Sequence, residues 1–196
     1  MMPQMCLSDA ALRFGGTLVN PDGYFSTVSI NSRTTNSGDL FVAIEGDKYD
    51  AHSYLSSVAD KISGAVVSWP NKALDIPQWV VQDTTKALGD LARLRRDNFQ
   101  GIVVALTGSS GKTSVKEAIA MILSQANQVH ATSGNLNNHF GVPLTLLAMD
   151  SKTDIAVIEM GASAIGEIDY LSSIAKPDIA LVNNAQSAHI EGFGSL

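Results

Sequence analysis

The chain has 196 residues, of which 45% are hydrophobic and 16% are charged. These values exclude an intrinsically disordered protein and are typical of a soluble α/β protein with one large or two small domains. The formal net charge of −6 disfavours binding to nucleic acid and to anionic membranes. Any bound anion must therefore be held by local loops and helix ends rather than by the overall charge.

Composition also bears on the compartment. Cys6 is the only cysteine, so an internal disulfide is impossible and a reducing compartment is expected. Residues 1–10 have neither the basic segment nor the apolar core of a signal peptide. Since no apolar run approaches the length of a membrane span, we expect a cytoplasmic protein without membrane insertion.

Short β-like runs dominate the first 83 residues. A helical stretch over 53–62 lies between the second and third of these runs. Gly, Asn, Asp and Pro residues separate the elements. Residues 1–83 are therefore predicted to form a small α/β domain, with strands at 27–30, 40–44, 65–69 and 79–82.

A longer helix is predicted over about 84–98, with Thr84 or Thr85 as its N-cap. It connects the first domain to the second. Three arginines near its C-terminal end, Arg93, Arg95 and Arg96, are interpreted as a solvated face that also interacts favourably with the helix dipole.

Strands and helices alternate from Gly101 onward, which predicts a mainly parallel sheet in a second domain, residues 84–196. A short helix is expected after Gly141, because Pro143 is tolerated in a first helical turn. The remaining predicted elements are strands at 102–106, 128–132 (the weakest), 155–160 and 178–182, and helices at 113–124 and 164–175.

The segment 105–114 reads Ala-Leu-Thr-Gly-Ser-Ser-Gly-Lys-Thr-Ser and joins a predicted strand to a predicted helix. Small residues let backbone N–H groups converge on phosphate oxygens, while Lys112 supplies a cation and Thr113 a hydroxyl for magnesium. Gly108 precedes Gly111 by three positions, a shorter spacing than the usual P-loop has. An ordinary Gly- and Ser-rich turn is the alternative, but Gly-Lys-Thr at this junction favours a nucleoside triphosphate site.

Three further polar clusters follow predicted strands, at the edge where open α/β sheets bind ligands. Glu159 ends an apolar strand and could bind magnesium, unless it is an exposed strand terminus. The segment 134–139 carries three asparagines that suit a polar ligand or, alternatively, a tight turn. The segment 183–189 ends in His189, for which a structural and a functional role are equally compatible with the spacing.

The first domain offers one candidate anion site. Ser32, Arg33 and Thr34 follow the strand 27–30, and a guanidinium between hydroxyls can bind a phosphate. A merely solvated arginine is the alternative.

Taken together, these segments resemble the Mur ligase family of peptidoglycan synthesis. The resemblance covers nearly the whole chain, and the shortened glycine spacing is the family's own form. The run Glu-Met-Gly-Ala at 159–162 favours the member that adds D-alanyl-D-alanine. The resemblance is carried by residues 31–33, 38–46, 107–114, 134–138, 141–147, 157–162 and 188–195.

The resemblance implies an ATP-dependent ligase that joins D-alanyl-D-alanine to UDP-N-acetylmuramoyl-tripeptide through an acyl phosphate, with Mg²⁺ as cofactor. Residues 1–83 would bind the UDP end of the substrate, and residues 84–196 would form an incomplete ATPase domain of a monomeric enzyme. A third domain and the family's modified lysine would follow residue 196. We therefore expect no ligation by these 196 residues alone, and measurable amide formation would contradict that.

The resemblance also implies roles for individual residues. Lys112 would contact the β- and γ-phosphates, Thr113 and Glu159 would serve one magnesium, and His189 would bind a second. Asparagines of the 134–139 segment would contact phosphate or substrate, with Asn137 assigned to catalysis and Asn135 and Asn138 to substrate binding. Ser32, Arg33 and Thr34 would meet the UDP portion. The rest of the loop, Thr107, Gly108, Ser109, Ser110, Gly111 and Ser114, would surround the nucleotide phosphates.

Two departures from the family weaken the assignments at the UDP site: Asn31 stands where many relatives have Asp, and Ala51 where Gly is common. A GTPase is excluded, because the Asn-Lys pair at 71–72 precedes the phosphate loop and Leu74 stands where the guanine-reading Asp should be. A P-loop kinase and a non-catalytic module that binds nucleotide or UDP-sugar remain as alternatives.

Overall fold

The computed structural model describes residues 4–46 and 49–186. The chain divides into two compact units, and the division falls between Leu91 and Ala92. The predicted boundary between residues 83 and 84 lies at the start of the helix that contains this division. The ligand of each domain stays a prediction.

The first unit contains a five-stranded sheet in the order β2-β7-β6-β5-β4 and a small antiparallel pair of β1 with β3. In the larger sheet β2 is antiparallel to β7, and the other pairs are parallel. A 3₁₀ turn over Ala51–Tyr54 precedes α2. The elements are β1 Met5–Cys6, α1 Leu7–Phe14, β2 Thr17–Val19, β3 Tyr24–Phe25, β4 Val28–Ser29, β5 Leu40–Val42, α2 Leu55–Val58, β6 Gly64–Val67 and β7 Gln78–Val80.

Alternating strand residues build the core of this unit. Phe41 from β5 and Val67 from β6 are fully buried and pack with Leu55 and Val58 of α2. Full burial of one such side chain contributes roughly 1.5–3 kcal/mol. The predicted helix over 53–62 is too long, because the N–H groups of residues 61 and 62 both donate to the carbonyl of Val58 in a closing turn.

Within its described residues, the second unit contains a four-stranded, fully parallel sheet in the order β11-β8-β10-β9, which confirms the predicted parallel sheet. Within the described residues, no helix has the length and apolar character needed to cross a membrane. The elements from the connecting helix onward are α3 Thr84–Asn98, β8 Ile102–Thr107, α4 Lys112–Leu123, β9 Val129–Ala131, α5 Gly141–Leu147, β10 Ile155–Glu159, α6 Glu167–Ala175 and β11 Ile179–Val182.

The central strands of this sheet are buried on both faces, as expected for parallel strands covered by helices. Leu106 of β8 and Val157 of β10 pack in one cluster against Val115, Ile119 and Leu123 of α4. This packing fixes the start of α4 above the carboxyl ends of β8 and β10.

The arginines of α3 do not form a solvated face, so that interpretation is wrong. Arg95 is buried, with 4% of its surface exposed. Arg96 donates to the carbonyl oxygens of Ala175 and Lys176 at 2.9 Å each and to a carboxylate oxygen of Asp178 at 3.0 Å. The guanidinium therefore binds the carbonyl end of α6 and the residue before β11, where a cation is favourable.

Candidate functional site

The strand, loop and helix predicted around residue 108 are confirmed by β8, the loop 108–111 and α4. Gly111 precedes the helix at φ 72°, a left-handed conformation that costs other residues about 1–2 kcal/mol. A side chain at Gly108 would lie 3.1 Å from the Cβ atom of Asn183. The two glycines thus allow both the tight turn and the close approach of another segment.

Lys112 folds back over this loop. Its Nζ atom donates to the carbonyl oxygen of Gly108 at 2.7 Å, and the side chain is half-buried. Thr113 and Ser114, which follow it on the first turn of α4, are exposed. The loop therefore has an ammonium group and two hydroxyls next to a helix N-terminus, an arrangement that favours phosphate oxygens.

The segment after β11 lies directly on this loop. The backbone N–H groups of Ser109 and Ser110 donate to the carbonyl oxygen and the Oδ1 atom of Asn184, at 3.2 and 3.0 Å. The side-chain amides of Asn183 and Asn184 both donate to the Ser110 carbonyl at 2.9 Å. Phosphate binding at these two amides requires Asn184 to move away from them.

Glu159 is the last residue of β10. It pairs with Leu106, the second-to-last residue of β8, the strand that leads into the loop 108–111. Its side chain is buried, with 1% exposed, which rules out the exposed strand terminus. Oε1 accepts a 2.7 Å hydrogen bond from Nδ2 of Asn137, but among the described residues Oε2 has no partner. A buried carboxylate oxygen without a donor needs a cation or a bound water to offset its desolvation.

The asparagine segment divides into two roles. Asn137 reaches Glu159, and its carbonyl oxygen accepts the N–H of Gly161 at 2.8 Å. Asn138 instead stabilises the turn that leads into α5, since its Oδ1 accepts the N–H groups of Phe140 and Gly141 at 3.1 and 2.9 Å. Asn135 is exposed. The turn interpretation therefore holds at Asn138, whereas Asn137 contacts Glu159, and the ligand contacts of Asn135, Asn137 and Asn138 stay predictions.

Lys116 and Thr132 were missed by the sequence analysis, although both contact this site. Lys116 lies one turn after Lys112 and is 1% exposed. Its Nζ donates to the Thr132 carbonyl oxygen at 2.7 Å, and the Thr132 hydroxyl accepts the N–H of Glu159 at 2.9 Å. The available signal was the spacing of Lys116, which precedes Ile119, Ala120 and Leu123 by three, four and seven positions and so shares a helix face with them.

The described residues contain no cluster of three or more His, Cys, Asp or Glu side chains that could hold a metal. Magnesium does not require such a cluster, because it commonly uses one or two carboxylates with water and substrate phosphates. The free Oε2 of Glu159 fits that pattern. His189 lies outside the described residues, so its role stays a prediction.

Ser32, Arg33 and Thr34 lie in a turn after β4, at the carboxyl edge of the first unit's sheet. Asn31 organises this turn: its Oδ1 accepts the N–H of Arg33 at 3.0 Å, and its carbonyl accepts the N–H of Thr34 at 3.1 Å. Arg33 and Thr34 are exposed and Ser32 is half-buried. These side chains are available to an anion, but their contact with UDP is untested.

A cavity of about 600 Å³ lies elsewhere in the first unit, where β6 and β7 end. Trp79, Ser68 and Gln82 line it together with Lys86 and Asp90, which form a 2.7 Å ion pair. The predicted residues 32–34 do not line this cavity. The two features are therefore separate on the same unit.

Residues 106–196 match the family described as the Mur ligase middle domain. Over its full length the chain is 45% identical to the UDP-N-acetylmuramoyl-tripeptide–D-alanyl-D-alanine ligase of Escherichia coli strain K12, covering 43% of that relative. Its identity to the ligase of the same name from Bacillus subtilis strain 168 is 40%, over 92% of this chain and 41% of the relative. The chain thus spans less than half the length of these curated relatives.

Solved structures agree with the sequence matches. A crystal structure of MurF from Acinetobacter baumannii is similar with a TM-score of 0.90 and 38% identity, over 99% of this chain and 44% of that one. MurF from Thermotoga maritima, crystallised with ADP, has a TM-score of 0.79 and 36% identity over 86% of this chain and 40% of its own. Both units are covered by the first of these matches, and the chain belongs to the Mur ligase family.

Proposed function

We propose that this chain is part of an ATP-dependent ligase that joins D-alanyl-D-alanine to UDP-N-acetylmuramoyl-tripeptide during peptidoglycan precursor synthesis. The named function of the relatives, at 45 and 40% identity across nearly all of this chain, supports the choice of reaction. The observation that carries the site is the buried Glu159 carboxylate, which pairs in register with the strand that leads into the loop 108–111. One of its oxygens has no partner among the residues that the structure describes.

ATP is the proposed nucleotide, bound by the loop 107–114. Lys112 would turn from the Gly108 carbonyl toward the β- and γ-phosphates. Its ammonium group would thereby exchange a neutral carbonyl acceptor for charged phosphate oxygens. The N–H groups of Ser109 and Ser110 would exchange Asn184 for phosphate oxygens. The ADP complex of the Thermotoga relative supports this proposal.

Thr113, Glu159 and His189 are the proposed protein ligands for Mg²⁺. Bound magnesium would neutralise charge on the transferring phosphoryl group. Asn137 would hold Glu159 through Oε1, which leaves Oε2 without a partner among the described residues. Its side chain therefore orients a carboxylate that is already buried.

The proposed reaction has two steps. A carboxylate oxygen of the tripeptide attacks the γ-phosphorus of ATP, the bond to ADP breaks, and an acyl phosphate forms. The amine of D-alanyl-D-alanine then attacks the acyl carbon, loses a proton and displaces phosphate. The main physical barrier to the first step is the repulsion between the tripeptide carboxylate and the γ-phosphate of ATP. Lys112 would offset part of that negative charge.

The UDP end of the substrate is proposed to bind predicted domain 1–83, and ATP to bind predicted domain 84–196. Ser32, Arg33 and Thr34 are proposed to contact the UDP portion, and Asn135 and Asn138 to contact the rest of the substrate. Arg33 follows a parallel strand and its side chain is exposed, so a phosphate can reach it directly. In the absence of the phosphate, the guanidinium group stays in contact with water. We further propose that the protein is monomeric, lies in the cytoplasm and does not bind nucleic acid.

Calorimetric titration of the chain with ADP–Mg²⁺ and, separately, with UDP-N-acetylmuramoyl-tripeptide tests this function. We expect both to bind, with Lys112→Met weakening only ADP and Arg33→Ala weakening only the UDP compound. Lys72→Ala, at an exposed position of the first unit, is the matched control. Binding of neither compound by a folded chain would contradict the proposal, and binding of ADP–Mg²⁺ without binding of the UDP compound would favour a kinase.

A further inference from the structure

Lys116 is a buried ammonium group that the proposed reaction does not use. It lies on α4, one turn after Lys112, and 1% of its surface is exposed. Burying an ammonium group is strongly unfavourable unless hydrogen bonds replace those it made with water. Nζ donates to the carbonyl oxygen of Thr132 at 2.7 Å and to a carboxylate oxygen of the exposed Glu117 at 2.6 Å.

Thr132 carries this interaction to the end of β10. It follows β9, and its own N–H donates to the carbonyl oxygen of Val157 at 3.0 Å. Its hydroxyl accepts the N–H of Glu159 at 2.9 Å. One residue therefore joins the lysine of α4 to the backbone of the carboxylate that has a free oxygen.

A purely structural role would be served more simply. An apolar side chain at 116 would pack against the sheet, as Val115 and Ile119 do, without the cost of burying a charge. It would, however, leave the Thr132 carbonyl without the donor that fixes it. What the lysine secures is thus the position of Thr132, and through its hydroxyl the position of Glu159.

We propose that Lys116 and Thr132 form a positioning pair that holds Glu159 so that its free Oε2 is directed at a divalent cation. The inference rests on the proposed function, in which Glu159 serves magnesium. Residues that orient a metal ligand change metal affinity by about 10–100-fold when they are replaced. The pair is expected to affect the magnesium-dependent part of nucleotide binding and to spare the part that needs no metal.

The test compares four variants of the chain: Lys116→Met, Thr132→Val, Thr132→Ser and, as control, Lys152→Met at an exposed position of the same unit. Two quantities are measured. The first, without ligand, is the hydrogen-exchange rate of the Glu159 N–H by NMR. The second is the ratio of ADP affinities with and without Mg²⁺.

Lys116→Met and Thr132→Val are expected to accelerate exchange at Glu159 and to reduce the magnesium-dependent ratio about tenfold or more. Thr132→Ser keeps the hydroxyl, so it and the control should match the original chain. Normal exchange at Glu159 in folded Lys116→Met would overturn the proposal. Faster exchange with an unchanged magnesium ratio would also overturn it, provided that the original chain gains ADP affinity from Mg²⁺. If Lys116→Met does not fold, Thr132→Val and Thr132→Ser are compared by the same two measurements. Equal results for these two variants would then overturn the proposal.

Failure of the proposed function gives a different pattern. In that case the original chain would show no magnesium-dependent gain in ADP affinity. Faster exchange at Glu159 in Lys116→Met and Thr132→Val would still support the positioning pair, since that measurement needs no ligand.

Discussion

The side-chain amide of Asn137 donates to Glu159 over 2.7 Å, and this contact uses one carboxylate oxygen while the other has no partner among the described residues. Residues 22 positions apart are thereby joined at the carboxyl edge of the sheet. A buried carboxylate with one satisfied and one free oxygen is oriented but incomplete. The contact thus prepares the group for a cation without consuming its capacity to bind one.

Asn137→Leu should weaken magnesium-dependent ADP binding about tenfold, because Glu159 loses the donor that orients it. The same change should lower the free energy of unfolding by about 1–3 kcal/mol, since a buried acceptor loses its partner. Calorimetry and urea denaturation measure the two effects. Ser133→Ala, at an exposed position in the same loop, is the control, and equal behaviour of the two variants would contradict the assigned role.

Gly141 allows the asparagine segment to pack against the start of α5. A Cβ atom at this position would lie 2.2 Å from the backbone carbonyl carbon of Leu136, a contact that requires the backbone to shift. We expect Gly141→Ala to lower the free energy of unfolding by about 3 kcal/mol. Gly134→Ala should cost only about 1 kcal/mol, because its φ of 54° is unfavourable but no atom lies within 4 Å of the added carbon. Equal urea midpoints for both variants would refute this explanation.

The parts of the fold that could be predicted from the sequence are those specified by local patterns. β8, the phosphate loop and α4 follow from an apolar run, two glycines and a Gly-Lys-Thr sequence within 22 residues, counting 102–123. By contrast, β1 and β3 have two residues each, too few for a period to be recognised. Their pairing depends on partners about 20 residues apart, which local patterns do not specify.

Long-range polar contacts account for what the analysis of the site missed. Arg96 appeared solvated because its carbonyl acceptors lie about 80 positions away in the chain. Lys116 similarly reaches Thr132, and Asn184 reaches the loop at Ser110 from 74 positions away. A polar residue's type predicts that it needs a partner, but only the fold decides which one it finds.

Lys112→Met should reduce ADP affinity about tenfold or more, because a charge-assisted hydrogen bond to phosphate contributes about 1.5–3 kcal/mol. The stability change should be small, since the half-buried ammonium group gives up one hydrogen bond to Gly108. The matched control is Lys152→Met, which removes an exposed ammonium group from the same unit. An ADP affinity in Lys112→Met equal to that of this control would contradict nucleotide binding at the loop.

Asn184→Ala should raise ADP affinity by severalfold. Its Oδ1 occupies the N–H of Ser110, so the nucleotide must displace a hydrogen bond worth about 0.5–1.5 kcal/mol. Removing the side chain removes that competition. Gln125→Ala, at an exposed position in the turn after α4, should leave the affinity unchanged. Weaker binding in Asn184→Ala would show instead that the asparagine contacts the nucleotide.

His130 makes the second unit sensitive to acid. Burial lowers the pKa of this imidazole below its ordinary value of 6.5, although its hydrogen bond with the Thr145 carbonyl, at 2.9 Å, acts in the opposite direction. Below about pH 6.5 the unfolded chain therefore binds a proton that the folded chain does not, and the free energy of unfolding falls as the pH decreases. The loss is at most about 1.4 kcal/mol for each pH unit between the two pKa values.

His130→Gln keeps a side-chain donor for Thr145 but removes the titrating group. Between pH 8 and pH 5.5 the melting temperature of the original chain should fall further than that of this variant. Differential scanning calorimetry at several pH values measures the two slopes, with both proteins compared at pH 8 to separate any change in packing. Parallel slopes would mean that the imidazole is protonated equally well in the folded and unfolded chains, in conflict with its partial burial within β9.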